Sequence, residues 1–168
     1  MAGWDEALTA LVRVRGVALR RYAYVLTADD QAAEDLVQEA LVRVFARRRV
    51  VEIEAVEAYV RAVMLRCYLD GYRRRQRWRR LVPRLATPEA DGGGIAEVPG
   101  QVDAAAALGA LSPRQRACVV LRFYEDLAVG DIAARLGVAE GTVKRHLADA
   151  MARLTPLLVT NGGEGHAG

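Results

Sequence analysis

Cysteine is nearly absent. Cys67 and Cys118 are the only two in 168 residues, too few for a disulfide framework or a cysteine-rich zinc site. Histidine is as scarce, with only His146 and His166, and no cluster of His, Cys, Asp or Glu has metal-ligand spacing. No apolar run approaches the roughly 20 residues needed to span a bilayer. The opening Met1-Ala-Gly-Trp-Asp-Glu6 is acidic and lacks the apolar stretch of a signal peptide. No Gly-rich phosphate loop follows a strand, and no Ser/His/Asp set is placed for nucleophilic catalysis. These absences exclude a disulfide-stapled secreted domain, a membrane protein and a collagen-like chain. The expectation is a cytoplasmic protein that is not an enzyme, with no metal, no cofactor and no small-molecule substrate.

What is present is arginine. It supplies 23 of the 24 basic residues, and the net charge of +3 hides an asymmetry. Residues 1–85 hold 17 Arg against 11 Asp and Glu, a net of +6, whereas residues 86–168 hold 7 basic and 10 acidic residues, a net of −3. A basic half joined to an acidic half implies one polyanion-facing surface and a second module with a different task.

The halves meet at the one long stretch without periodicity, residues 83–103, which contains three prolines, four glycines and four acids. Too little apolar surface is available there to offset the entropy of ordering, so it reads as a flexible acidic linker. The expected division is a domain over 1–82, the linker over 83–103, a domain over 104–158 and a disordered tail over 159–168.

Both halves read as helical, and the fold class is all-α: two small helical domains. In residues 5–26, Leu8, Leu11, Val12, Leu19, Tyr22, Ala23 and Leu26 recur at three- and four-residue steps, the spacing of one helix face. Thr27-Ala-Asp-Asp30 breaks the pattern and offers a new N-terminus, with acids where the helix dipole favours them. Residues 31–46 then align Ala33, Leu36, Val37, Ala40, Val44 and Phe45. Residues 47–54 read as a surface loop, and a third helix over about 55–79 carries Val56, Val60, Val63, Met64 and Cys67. In the second half, Ser112-Pro113-Arg114-Gln115 has the form of a capping box with proline at N1, leading into a helix over Ala117–Tyr124. Asp131–Leu136, then Gly137 as a left-handed cap, then Thr142–Leu154 make a helix-turn-helix. Ala139 stands where a Ser or Thr cap is expected, and an Ala there costs about 1 kcal/mol.

Three features can carry function. Arg73-Arg74-Arg75-Gln76-Arg77-Trp78-Arg79-Arg80 packs six arginines into eight residues, with Tyr68 and Tyr72 just upstream. Arginines this dense repel one another, and nucleic-acid phosphate supplies matching counter-charge, while the aromatics can stack on exposed bases. A solvated helix end is the plainer reading, but six arginines exceed what a C-terminal dipole asks for. In the helix-turn-helix, the second helix would bring Glu140, Thr142, Lys144, Arg145 and His146 towards base edges and phosphates, although helix pairs with a glycine turn also occur away from DNA. Third, Glu34, Asp35, Gln38 and Glu39 beside Leu41 and Val42 form an acidic face, either solvated or a dock for a basic partner. Cys67 and Cys118 fall on apolar stripes and read as core.

The order of these motifs resembles the extracytoplasmic-function group of the sigma-70 family of bacterial RNA polymerase initiation factors, in an actinobacterial form. The resemblance rests on Ala33–Phe45, on Ala58–Arg66 with Asp70 and the arginines after it, on Leu111–Arg116, on Val120–Leu127, and on Gly141–Lys144 through Ala152–Leu154. It implies region 2 in the first half and region 4 in the second. The second helix, through Asp35, Leu36, Gln38, Glu39, Val42 and Phe45, would dock on the β′ clamp of core RNA polymerase. Arg66, Asp70, Tyr72, Arg73, Arg74, Arg75, Arg77 and Trp78 would hold the −10 element as it melts, and the loop from Arg47 to Glu57 would hold a flipped base. Glu140, Thr142, Lys144, Arg145 and His146 would read the −35 element while the domain rests on the β flap. Glu89, Asp91, Glu97 and Asp103 of the linker would lie towards the RNA exit channel. The implied partners are core polymerase, promoter DNA and, as for many relatives, an anti-sigma factor. Arg66-Cys67 stands where the family often has Arg-Asn, and Thr142–Leu147 looks as much like the response-regulator type of helix-turn-helix. The alternative is therefore a stand-alone helix-turn-helix regulator on duplex DNA. A third reading, a protein-interaction module, would leave the recognition helix without a purpose.

Overall fold

A computed structural model describes residues 3–47, 53–81 and 104–162. Every regular element among them is helical, and the chain divides into two compact units, residues 1–87 and 88–168.

The first unit contains α1 (Gly3–Thr27), α2 (Asp30–Ala46) and α3 (Ile53–Leu81), each packed against the other two. The stripes meet as their spacing requires. Leu8, Leu11, Leu19, Tyr22, Ala23 and Leu26 of α1 are buried, with Ala33, Leu36, Ala40 and Val44 of α2 and Val56, Val60, Val63, Met64 and Cys67 of α3. Trp4, Leu65 and Tyr68 join this core, whereas Val12 at the edge of the α1 stripe and Phe45 at the end of α2 are exposed. The turn between α1 and α2 is made by Ala28, in the left-handed region at φ 55°, and by Asp29, whose Oδ1 accepts the Ala32 N–H at 2.7 Å. That bond satisfies one of the free donors at the helix start. Of the expected 47–54 loop, residues 48–52 lie outside the described residues. Ile53 and Glu54 already belong to α3, which starts two residues earlier than the expected residue 55.

Glu57 ties α3 to α1. Arg15 donates to both its carboxylate oxygens, at 2.9 and 3.0 Å, and Arg61 donates to Oε1 at 2.7 Å. The Arg61 guanidinium also sits 5.6 Å from the centre of the Tyr22 ring, within cation–π range. The hydrogen bonds from Arg15 hold the Glu57 carboxyl below its ordinary value of 4.5, against the opposing effect of burial and with help from Arg61.

The second unit opens with α4 (Ala104–Gly109), a short helix for which alanine-rich residues with no apolar period gave no signal. Next comes α5 (Pro113–Val119), which passes directly into a π-helical stretch, Val120–Tyr124. The capping box forms in both directions: Ser112 Oγ accepts the Gln115 N–H and Gln115 Oε1 accepts the Ser112 N–H, each at 3.2 Å. So the helix begins at Pro113, ahead of its apolar residues. Arg116, buried, donates from Nε to Leu108 O at 3.0 Å, and Arg153 donates to Ala110 O at 3.2 Å. These two arginines hold the end of α4 over a core of Ala107, Leu111, Val119, Ala150 and Leu154.

α6 (Val129–Leu136) ends at Gly137, φ 66°, which supplies the left-handed cap that a side chain would disfavour. α7 (Glu140–Gly162) is longer than its apolar stripe. The Ala139 carbonyl accepts from Thr142 N and Val143 N, so the helix starts on backbone bonds alone. It continues through Pro156 to Gly162, replacing the tail expected from residue 159; residues 163–168 lie outside the described residues. Once nucleated, a helix needs only one bond per added residue, which carries it past its last packed turn.

Replacing Glu57 with Gln is expected to destabilise the first unit by about 1–2 kcal/mol, the scale of hydrogen bonds to a charged group. A carboxyl lowered on folding contributes fully above its unfolded value and loses that contribution as pH falls through the folded one. Thermal melts between pH 6 and 3 should therefore show a steeper acid loss for wild type than for Glu57→Gln.

Candidate nucleic-acid interface

α3 outlasts the helices that bury it. It has 29 residues against 17 in α2, and residues 73–81 are exposed on every side. At three- and four-residue steps, Arg74, Trp78 and Leu81 prolong the stripe of Val60, Val63 and Cys67 beyond the core. Trp78 is 67% and Leu81 78% exposed in consequence. Arg73, Arg77 and Arg80 share a second face, and Arg75 and Arg79 a third. Arg73, Arg74, Arg75, Arg77 and Arg80 form no ion pair among the described residues. Arg66 is exposed, and Asp70 and Tyr72 are half-buried; the Tyr72 hydroxyl accepts from Gln76 Nε2 at 2.7 Å. Tyr68 is not available to stack on a base: it is 8% exposed, on the core side of the helix.

The acidic face of α2 is exposed at Glu34, Asp35, Gln38, Glu39 and Val42, with Phe45 40% exposed at its end. Asp35 accepts from Gln31 at 3.0 Å, and Glu39 pairs with Arg43 at 2.8 Å. Leu36, expected on this surface, is 6% exposed and belongs to the core, because it shares the Ala33–Ala40 stripe. Leu41 is half-buried rather than exposed. Burial pushes the Cys67 thiol up, Glu39 and Asp70 add to the shift, and Arg43 and Arg66 oppose it. Burial likewise raises Cys118, to about 11, so both thiols stay protonated and inert at neutral pH.

In the second unit the helix-turn-helix is held from behind. Arg135 of α6 pairs with Glu125 at 2.7 Å, and Arg122 donates to Leu127 O at 2.9 Å. Val143 is buried and Leu147 half-buried, which turns Lys144 and Arg145 outward. Gly141, Ala148 and Ala152, all small and exposed, surround them and let another surface come close to the backbone. Glu140 is exposed at the first helical position, and Thr142 and His146 are half-buried on the flank. Burial, then Arg145 and Arg114, lower the His146 pKa, with Asp149 opposing. The neighbouring Arg114 gave no signal in the sequence because it belongs to α5. Phe123, 64% exposed in the π-helical stretch, also gave none, since its spacing matched the buried run before it.

Two family models match the chain: Sigma-70 region 2 over residues 11–79 and Sigma-70, region 4 over residues 101–154. The chain is 38% identical over 152 residues to the RNA polymerase sigma-E factor of Streptomyces coelicolor, covering 88% of this chain and 84% of that one. It is 34% identical over 163 residues to the ECF RNA polymerase sigma factor SigL of Mycobacterium tuberculosis, covering 88% of each. Among solved structures it is similar to the sigma factor RpoE of Bartonella quintana in complex with the anti-sigma factor NepR. That match has a TM-score of 0.64 and 25% identity, covering 94% of this chain and 98% of the other. A region 2 and a region 4 in this order define a transcription initiation factor. The chain belongs to the extracytoplasmic-function group of the sigma-70 family. The region 2 match occupies the half in which a stand-alone regulator would keep its receiver or ligand domain, which removes that alternative.

Leu36→Ala should cost the first unit about 2–5 kcal/mol, as expected for a buried leucine, whereas Asp35→Arg on the exposed face should cost under about 0.5 kcal/mol. Denaturant titration of the two variants separates core from surface on α2.

Proposed function

We propose that this chain binds core RNA polymerase and directs initiation at promoters that carry its −10 and −35 elements. The observation that carries the reading is the coincidence of exposed cations with matched regions. The arginine end of α3 falls largely within the region 2 match, and Lys144 and Arg145 fall within the region 4 match.

Residues 1–82 act as region 2, residues 83–103 as the linker and residues 104–158 as region 4. The exposed acids Asp35 and Glu39, with Gln38, Val42 and Phe45, dock on the β′ clamp; Leu36 supports that surface from the core side. Arg66, Arg73, Arg74, Arg75 and Arg77 neutralise phosphates around the −10 element, with Asp70 and Tyr72 beside them, and Trp78 offers its indole to an unstacked base. Lys144 and Arg145 reach base edges or phosphates of the −35 element, flanked by Thr142 and His146, while the unit rests on the β flap. The work is recognition and duplex opening, with no bond made or broken by the chain itself, and it takes place in the cytoplasm with the polymerase. An anti-sigma factor of the class bound to the Bartonella relative is the proposed regulator.

Arg73→Glu/Arg74→Glu should weaken promoter complexes across sequences and reduce the slope of log affinity against log salt by about 0.9 for each duplex phosphate that the variant no longer neutralises. Lys144→Ala should instead change preference within the −35 element, by about 1–3 kcal/mol where a bidentate pairing with a base is removed. Filter binding of the reconstituted holoenzyme over a salt series measures both. An unchanged salt slope and unchanged melting in the double arginine variant would overturn the assignment of α3.

A further inference from the structure

Gly130 stands in the first turn of α6, where glycine is among the weakest helix formers. No left-handed backbone requires it: the only glycine with positive φ among the described residues is Gly137. The residue is exposed, so a side chain would not enter the core. What a side chain would meet is Glu140. A Cβ at position 130 would lie 3.1 Å from Glu140 Oε1 and 3.9 Å from its Cδ. The carboxylate therefore rests on the bare backbone at the start of α6, close to a helix N-terminus that has no side-chain cap and where the dipole favours a negative charge.

That resting place has a consequence on α7. Glu140 precedes Lys144 by four residues, the order and spacing at which a carboxylate ordinarily captures a lysine. Neither residue forms an ion pair among the described residues. Seated on Gly130, Glu140 leaves Lys144 uncompensated beside Arg145 on the outward face. A Cβ alone at 130 asks the carboxylate to give by a few tenths of an ångström. The larger side chain of a valine would push it further, towards Lys144 or into the groove, where it would repel phosphate and accept only from a base amino group such as that of cytosine.

We propose that Gly130 is a specificity-determining position for −35 recognition, acting through the seat it provides for Glu140. The inference rests on the reading of α7 as the −35 reader, and its test separates the two. Wild type, Gly130→Ala, Gly130→Val, Glu140→Ala, Gly130→Val/Glu140→Ala and Lys144→Ala are each reconstituted with core polymerase. Each is then assayed on a promoter library randomised in the −35 element, with thermal melts confirming folding. Gly130→Val should change relative use of −35 sequences by about threefold or more, the range of coupling between touching residues. Gly130→Ala should act in the same direction but less, and the effect of Gly130→Val should vanish in the Glu140→Ala background. An equal effect of Gly130→Val with and without Glu140, or no change in base preference, overturns the inference while leaving the −35 reading intact. A Lys144→Ala profile identical to wild type overturns that reading, and the inference with it.

Discussion

Six arginines lie within residues 73–80, on last turns of α3 that extend beyond the buried core, and Arg73, Arg74, Arg75, Arg77 and Arg80 form no ion pair among the described residues. Mutual repulsion opposes holding them together on one helix, and solvent alone offsets it only through screening. The helix persists because its first half is fixed. Val56, Val60, Val63, Met64 and Cys67 are buried against α1 and α2, and Glu57 is gripped by Arg15 and Arg61. A cooperative helix propagates from such an anchor at little cost per residue. The bundle thus presents a cationic rod with an exposed indole at Trp78, a shape whose natural complement is a phosphate backbone with bases available beside it.

The second unit handles charge in the opposite way. Its sequence is net acidic, and of its exposed cations Lys144 and Arg145, with small residues around them, form no ion pair among the described residues. Arg116, Arg122, Arg135 and Arg153 each bond a carbonyl or carboxylate of the same unit. These bonds brace α4, the π-helical stretch and α6, and α7 packs against α4 and α6. On the proposed reading, the first unit provides affinity through many exposed charges and the second provides discrimination through few, in keeping with the uneven arginine distribution along the chain.

Helix positions were legible wherever a local signal was strong. Asp29, Ser112 with Gln115, and Gly137 cap as their residue types dictate, because a cap is decided within a few residues. Lengths were less legible. α3 and α7 run beyond their apolar stripes because propagation does not require packing, and the end of α4 is held by Arg116 of the next helix and by Arg153, which lies distant in sequence. On the candidate surfaces, Arg73, Arg74, Arg75, Arg77, Trp78, Lys144 and Arg145 are exposed, as their chemistry suggested. Leu36 and Tyr68 are buried. Both lie next to surface residues in sequence, and only the three-helix packing decides which side they face. The Glu57 network and the meeting of Gly130 with Glu140 join residues on different helices, which periodicity within one helix does not reveal.

On the proposed reading, the acidic face of α2 joins this protein to core RNA polymerase. The most direct measurement is a titration of labelled protein with core enzyme, alone and as the Asp35→Arg/Glu39→Arg variant. Tight binding by the wild type and loss in the folded variant is the predicted result. Failure of the wild type to bind an active core enzyme, with sequence-specific binding of duplex DNA by the free protein, would contradict it.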